Sequence, residues 1–298
     1  LCPKKFFRPA LLCSTRRVNG LRRFADAYSP HLIIFDEYES YSSKNLSRIQ
    51  AICDEKKVKI EKLKLSYKNP AYSWRKLESL VANKLMSTEN VILDISTMPR
   101  ETIWGLLFFL QKNSKQTHYI YHKPLNYGEW LCKEPDRPRL LYKHSGIAEF
   151  GRHTALMILT GYDYDRTNQL VRFYEPALTV LGLQKGSQFD NQKRNIEKQH
   201  REQCKGTEVN TFEIDFYSGD LGFSVLNEEI TKLKSDYNVI VASLGPKISS
   251  ISIYRIFLKH PEIALTYVPT KEYNKSYSVG IADEAIYEAL QKDNRHRT

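Results

Sequence analysis

Asn90-Val91-Ile92-Leu93-Asp94-Ile95-Ser96-Thr97-Met98-Pro99-Arg100 and Asn238-Val239-Ile240-Val241-Ala242-Ser243-Leu244-Gly245-Pro246-Lys247 are two versions of one pattern. Each begins with a β-branched apolar run, passes through small polar residues, and ends in Pro plus a cation. Short apolar runs bounded in this way read as buried strands. Pro near a first helical turn, with Glu101 beside it, reads as a helix start. Helical apolar patterns follow, through Phe109-Leu110 in one copy and Phe257-Leu258 in the other. Further strands come next, at Thr117–Tyr121 and Ala264–Val268, and then Lys123-Pro124-Leu125-Asn126-Tyr127 and Pro269-Thr270-Lys271-Glu272-Tyr273.

The correspondence extends upstream. Pro246 lies 147 residues after Pro99, and Tyr267 lies 146 after Tyr121. Pro30 precedes the apolar run Leu32–Phe35 and Pro176 precedes Leu178–Leu181, again 146 residues later. Ala10-Leu11-Leu12 matches Ala155-Leu156-Met157 at 145. Ordered matches at a nearly constant offset point to internal duplication; two generic α/β segments with ordinary strands are the alternative. Each copy alternates short apolar strands with helical patterns, which implies a parallel sheet covered on both faces and right-handed crossovers. The expected fold is therefore α/β, two tandem Rossmann-like units. Their expected bounds are residues 1–128 and 153–298, with 129–152, rich in Pro, Gly and charge, as the connection. Asp190–Lys205 reads as an exposed charged helix or loop, Glu213-Ile214-Asp215 as edge strand, and Asp283–Leu290 as a short final helix.

Composition narrows the classes. At 298 residues and 41% hydrophobic content the chain can build real cores. No apolar run approaches membrane-spanning length, and the longest, Ile103–Leu110, fits a buried helix. Five cysteines (Cys2, Cys13, Cys53, Cys132, Cys204) stand apart from one another without a metal-ligand spacing. They read as reduced thiols in a cytoplasmic protein. A chain that begins at Leu1 reads as a processed or excised fragment, with an upstream segment expected. The net charge of +11 favours anionic partners such as nucleotides or nucleic acid, although a generally basic solvated surface gives the same number.

Ligands of open parallel sheets bind beyond the carboxyl ends of the strands. In the first copy those positions hold Ser14, Thr15, Arg16 and Arg17, then Asp94, Ser96, Thr97 and Arg100. In the second they hold Thr160, Gly161, Tyr162, Asp165 and Arg166, then Ser243, Gly245 and Lys247. Hydroxyls and backbone N–H groups at a helix start attract phosphate, Arg adds bidentate contacts and Lys a point charge. The same Ser and Thr residues serve equally as helix caps. Neither a Walker loop nor a G-x-G-x-x-G fingerprint is present, which disfavours nucleotide triphosphate hydrolysis and redox work with NAD; no cofactor is expected, and the cysteine spacing argues against a metal. Asp94 is the candidate acid, base or metal ligand, with loop orientation as its plainer role. His118, His122, His144 and His153 are dispersed, and Cys13 reads more readily as a buried structural thiol than as a nucleophile. The aromatics Tyr119, Tyr121, Tyr127, Trp130 and Tyr142, with Tyr267, Tyr273 and Tyr277 in the second copy, suit either base stacking or core packing.

The loops Asp94–Arg100 and Ser243–Lys247 resemble the strand-loop-helix signature of CARF domains, Rossmann-like sensors of cyclic oligonucleotides in prokaryotic immunity. The duplicated layout is similar to SAVED domains, which resemble two fused CARF units. The resemblance implies a ligand touching Thr97, Arg100, Gly245 and Lys247 between the copies. It covers two short motifs and the layout. The Gly-Gly-Thr-Lys form common in that family is absent, as is an effector domain. Three readings result: a sensing module for a nucleotide or oligonucleotide that works with a partner protein subunit or effector; an enzyme on nucleotides or nucleic acid using Asp94; and a structural subunit of a larger assembly. None involves a membrane.

Overall fold

The computed structural model describes residues 9–14, 18–38, 45–130, 132–186, 191–274, 277–282 and 285–290. The first repeat contains β1 (Ala10–Ser14), α1 (Val18–Tyr28), β2 (Leu32–Tyr38), α2 (Leu46–Glu55), β3 (Lys59–Leu65), α3 (Pro70–Ser79) continuing as a π-helical stretch over Leu80–Lys84, β4 (Asn90–Asp94), α4 (Arg100–Lys112) and β5 (Gln116–His122). Three short strands follow: β6 (Asn126–Tyr127), β7 (Cys132–Pro135) and β8 (Arg139–Leu140). The second repeat contains β9 (His153–Leu159), α5 (Tyr164–Tyr174), β10 (Leu178–Gln184), the short helices α6 (Asn191–Arg194) and α7 (Glu197–Glu202), β11 (Glu208–Ile214), α8 (Phe223–Leu233), β12 (Tyr237–Ser243), α9 (Ser249–Lys259) and β13 (Ala264–Tyr267). It ends in β14 (Thr270–Tyr273), β15 (Ser278–Val279) and β16 (Ala285–Ala289).

Two six-stranded sheets result, ordered β16-β5-β4-β1-β2-β3 and β11-β10-β9-β12-β13-β8. The first five strands of each repeat are parallel and share the Rossmann-like order, third-second-first-fourth-fifth. The expected fold class holds. Register tightens the duplication: Ala10 lies beside Leu32 and Val91, while Ala155 lies beside Leu178 and Val239. α1 and α5, and β2 and β10, share the 146-residue offset at both ends.

Strand sequences follow their places. Central β1 is apolar on both faces, with Ala10 to Cys13 all buried, as a strand covered by helices on two sides must be. Edge strand β3 buries only Leu63 and Leu65 among its hydrophobic residues and turns its lysines outward. β11, carrying Glu213 and Ile214, is also an edge strand, as its alternation implied. Helix starts are equally local. Pro70 opens α3 while Asn69 Oδ1 accepts the Tyr72 N–H at 2.9 Å. Before α8, the Asp220 carboxylate accepts from Ser224 N and Gly222 N, each at 2.9 Å, and from the Ser218 hydroxyl. Those bonds, led by Ser224, hold the Asp220 carboxyl down at about 2.

The chain divides into two compact units, Leu1–Lys123 with Ile281–Thr298, and Pro124–Gly280. Two expectations are corrected here. Asp283–Leu290 contains no final helix among its described residues. Ala285–Ala289 is instead β16, antiparallel on β5, with Tyr287 stacked 5.4 Å from His118 and 5.3 Å from Tyr28. A free sheet edge and two ring partners outweigh the helical preference of Ala, Glu and Leu. Within 129–152, β7 pairs with β14 and β8 pairs with β13. Within Asp190–Lys205, Asn195, His200 and Cys204 are buried, so that stretch is not simply exposed. No described helix is long and apolar enough to cross a membrane.

Candidate functional site

In this strand order the switch point lies between the first and fourth strands of each repeat, where crossovers on opposite faces part and loops diverge. Most of the candidate residues occupy that position. In the first repeat β1 and β4 are neighbours, so Ser14 ends one strand beside the Asp94–Pro99 loop of the other. Thr15, Arg16 and Arg17 lie outside the described residues. Asp94 Oδ1 accepts the Ser96 N–H at 3.0 Å, and Ser96 Oγ accepts the His122 N–H at 2.8 Å. Together with Ile95 N donating to Ile120 O, these bonds tie the loop to the end of β5. Thr97 is buried in the same loop, and Arg100, also buried, begins α4 with Glu101 beside it. Pro99 precedes the helix without a capping side chain, so the first-turn N–H groups of α4 receive no side-chain cap from it.

Asp36 joins the candidate site. It lies in the last part of β2, in register with Ser14 at the end of β1, and is 5% exposed. Two carboxylates, Asp36 and Asp94, therefore flank the end of β1. Burial, then Asp94, then Asp36 push the Cys13 thiol well above its ordinary value, so it stays protonated and is no nucleophile at neutral pH. Tyr38, two residues beyond Asp36, stacks on Tyr67 at 3.9 Å and shares a hydrogen bond with the Thr102 hydroxyl in the first turn of α4. A carboxylate two residues before an aromatic at a strand end was visible in the sequence, but only the strand order brings it beside Asp94.

The second repeat fills the equivalent place differently. The loops after β9 and β12 touch backbone to backbone: a Cβ on Gly161 would stand 2.1 Å from Leu244 O, and one on Gly245 2.9 Å from Thr160 O. Both glycines are required by that approach. The Thr160 hydroxyl donates to Gly182 O at 2.9 Å and accepts from Asn195 Nδ2 at 2.9 Å. Buried His200 completes the network. Its Nε2 faces two acceptors, Gly161 O at 3.0 Å and Asn195 Oδ1 at 2.9 Å, so it carries the proton, and Nδ1 accepts from the Thr167 hydroxyl at 2.8 Å. Burial pulls the His200 imidazole down to about 4. Asp163 caps α5 through Arg166 N at 3.1 Å and pairs with the Arg166 guanidinium at 3.2 Å. Asp165 stands exposed in the first turn. Tyr162 lies under the Arg194 guanidinium at 4.4 Å and meets Tyr127 edge-on at 5.8 Å. The Ser243 and Ser249 hydroxyls are 2.8 Å apart, Ser249 donating in turn to Pro246 O, so this pair holds the turn that carries Lys247 into α9.

Thr160, Arg166 and Ser243 thus have internal partners, and Asp94, Thr97 and Arg100 gather at one loop. Asn195, His200 and Asp163 were not legible as site neighbours; a buried His in a charged helical stretch carries no pattern of its own. Among the described residues no group of three or more His, Cys, Asp or Glu side chains is placed to hold a metal.

No protein family matches the chain. No curated protein is similar to it. Among solved structures, Can2 of Sulfobacillus thermosulfidooxidans in complex with cyclic tetra-adenylate is similar at 14% identity and a TM-score of 0.28, over 37% of this chain and 31% of that one. The chain therefore spans about a third of the length of that protein. A universal stress protein of Archaeoglobus fulgidus is similar at 9% identity and a TM-score of 0.27, over 91% of this chain and 98% of that one. CobK precorrin-6A reductase follows at 8% identity, a TM-score of 0.23 and 85% of each chain. Likenesses this low do not bear on what the chain binds.

Proposed function

We propose that the chain binds an anionic, nucleotide-type ligand at the carboxyl ends of β1 and β4 and of β9 and β12, and acts as a sensing module. One observation carries this reading: in both sheets the candidate loops stand side by side at the switch point, where doubly wound sheets take their ligands. Thr97, Arg100 and the first turn of α4 would meet the anion in the first repeat, and Gly245 and Lys247 in the second. The excess of 45 Lys and Arg over 34 Asp and Glu favours such a ligand. A role in prokaryotic defence, through a separate effector protein, rests on the CARF-like form of the two loops alone.

Thermal unfolding against a panel of mononucleotides, cyclic oligonucleotides and short nucleic acids tests the reading. Stabilisation should grow with the logarithm of ligand over dissociation constant, reaching about 2.7 kcal/mol at a hundredfold excess. Arg100→Ala should abolish it. If no member of the panel shifts the transition, the reading fails.

The Asp36 and Asp94 pair favours a second reading, an enzyme on the same ligand class with Asp94 as acid or base. Asp94→Asn keeps an acceptor for Ser96 N, so the fold should persist while turnover stops. Unchanged turnover in that variant removes Asp94 from any such chemistry.

A further inference from the structure

After their fifth strands, β5 and β13, both repeats run into three short strands: β6, β7 and β8 after the first, β14, β15 and β16 after the second. The pairing among these tails obeys the 146-residue offset of the duplication. Tyr273 lies opposite Cys132, and Glu272 opposite Lys133. Moving each partner by 146 residues gives Tyr127 opposite Ser278 and Asn126 opposite Val279, and both pairs are present. Asp136 N donates to Pro269 O at 2.9 Å, and the shifted bond, Ala282 N to Lys123 O, is also present at 2.9 Å. The edge strands follow the same rule with a slip of one residue. β8 sets Leu140 opposite Thr266, and β16 sets Ile286 opposite Tyr121, where the shift would place Ile120.

Every one of these pairings joins one repeat to the other. β8 closes the sheet of the second repeat and β16 closes that of the first, and β7 pairs with β14 and β6 with β15. Two independent linkers would have no reason to share registers across a 146-residue shift. An arrangement in which each repeat is completed by the other's tail requires it, because equivalent edges then receive equivalent strands. An unpaired fifth-strand edge exposes a row of N–H and C=O groups, and covering it is the physical gain of the exchange. We propose that this chain is a tethered pair of mutually completing repeats: the edges of β5 and β13 are interaction surfaces, and the partner each accepts is an antiparallel strand from the tail of the other repeat. Independent of any ligand, this reading makes 129–152 an exchanged tail rather than a linker.

The test uses the full chain. A protease site is inserted in the exposed stretch between Glu149 and Phe150, the chain is cut after folding, and the product is run by gel filtration. Both fragments should elute together at the size of the uncut chain and separate only in denaturant. In a Cys132→Ser background, the pair Lys133→Cys with Glu272→Cys should form a disulfide that joins the fragments on a non-reducing denaturing gel. Asn126→Cys with Val279→Cys should do so to a similar extent. Fragments that part under native conditions overturn the proposal, as does a disulfide that forms in only one of the two pairs. Should the inserted site prevent folding, the two cysteine pairs are read in the uncut chain by mass spectrometry of linked peptides. Links within one chain support the exchange; links absent, or only between copies, refute it.

Discussion

The ends of the two central strand pairs, alike in backbone, are chemically opposite. In the first repeat β2 carries Asp36 beside the end of β1 and β4 ends on Asp94; in register, the second repeat has Gly182 and Ala242 at those positions. Where one sheet keeps two buried carboxylates around Cys13, the other has exchanged them for small residues and a neutral network of Thr160, Asn195 and His200. Duplication copies a scaffold without copying its chemistry. Ionisable groups at a switch point cost desolvation and are kept where a ligand or a loop needs them. A satisfied neutral network gives rigidity instead. On the proposed function, the first repeat is the better seat for chemistry, and the second for holding shape and charge.

The sharpest way to break this contrast is to put the first repeat's carboxylate into the second. A side chain at Gly182 would meet Leu159 Cδ2 and Phe212 Cζ, each 2.7 Å from its Cβ. Gly182→Asp adds overpacking to an uncompensated buried charge, so a loss of about 4 kcal/mol or more is expected in urea unfolding. A near-neutral result would show that the two switch points are interchangeable.

Acid should separate the repeats next. His200 and His144 both lie in the second unit, and burial lowers each from 6.5 to about 4. The unfolded chain takes up protons below about 6.5 that the native imidazoles refuse until about 4. Stability is thus whole above pH 6.5 and drains as the pH falls toward 4, by up to about 1.4 kcal/mol per pH unit for each histidine. Urea midpoints measured from pH 7.5 to 4 should show this slope, and His200→Gln should flatten part of it. A flat profile would mean that these histidines are not held neutral.

Smaller effects sharpen the loop assignments. Asp163→Ala removes the α5 cap and the Arg166 pair, and should cost about 1 kcal/mol or slightly more in the same assay. Asp94→Asn should cost less than about 1 kcal/mol, because Asn still accepts from Ser96 N. A loss several times larger would make Asp94 a structural keystone and remove the asymmetry argued above.

Much of the fold was legible because local signals and packing agree. The apolar runs of β4 and β12, Pro99 and Pro246 after them, and the alternation at Glu213-Ile214-Asp215 each state their own environment. β16 was not legible: Ala285–Ala289 has helix-forming residues and becomes a strand only because β5 offers an open edge. The site divides the same way. Asp94, Thr97 and Arg100 could be marked from their place after a strand, whereas Asp36 needed the strand order, and His200 needed a fold that carries a charged helix back over the loop after β9.

By itself the sequence determined the repeat, its 146-residue period and the alternation of strand and helix, since apolar periodicity and turn chemistry act over a few residues. Tertiary structure alone decided which strand ends become neighbours, which carboxylates share a site and which repeat each tail completes. Those are pairings between groups far apart in the chain, and no local preference encodes a partner that only folding brings within hydrogen-bonding reach.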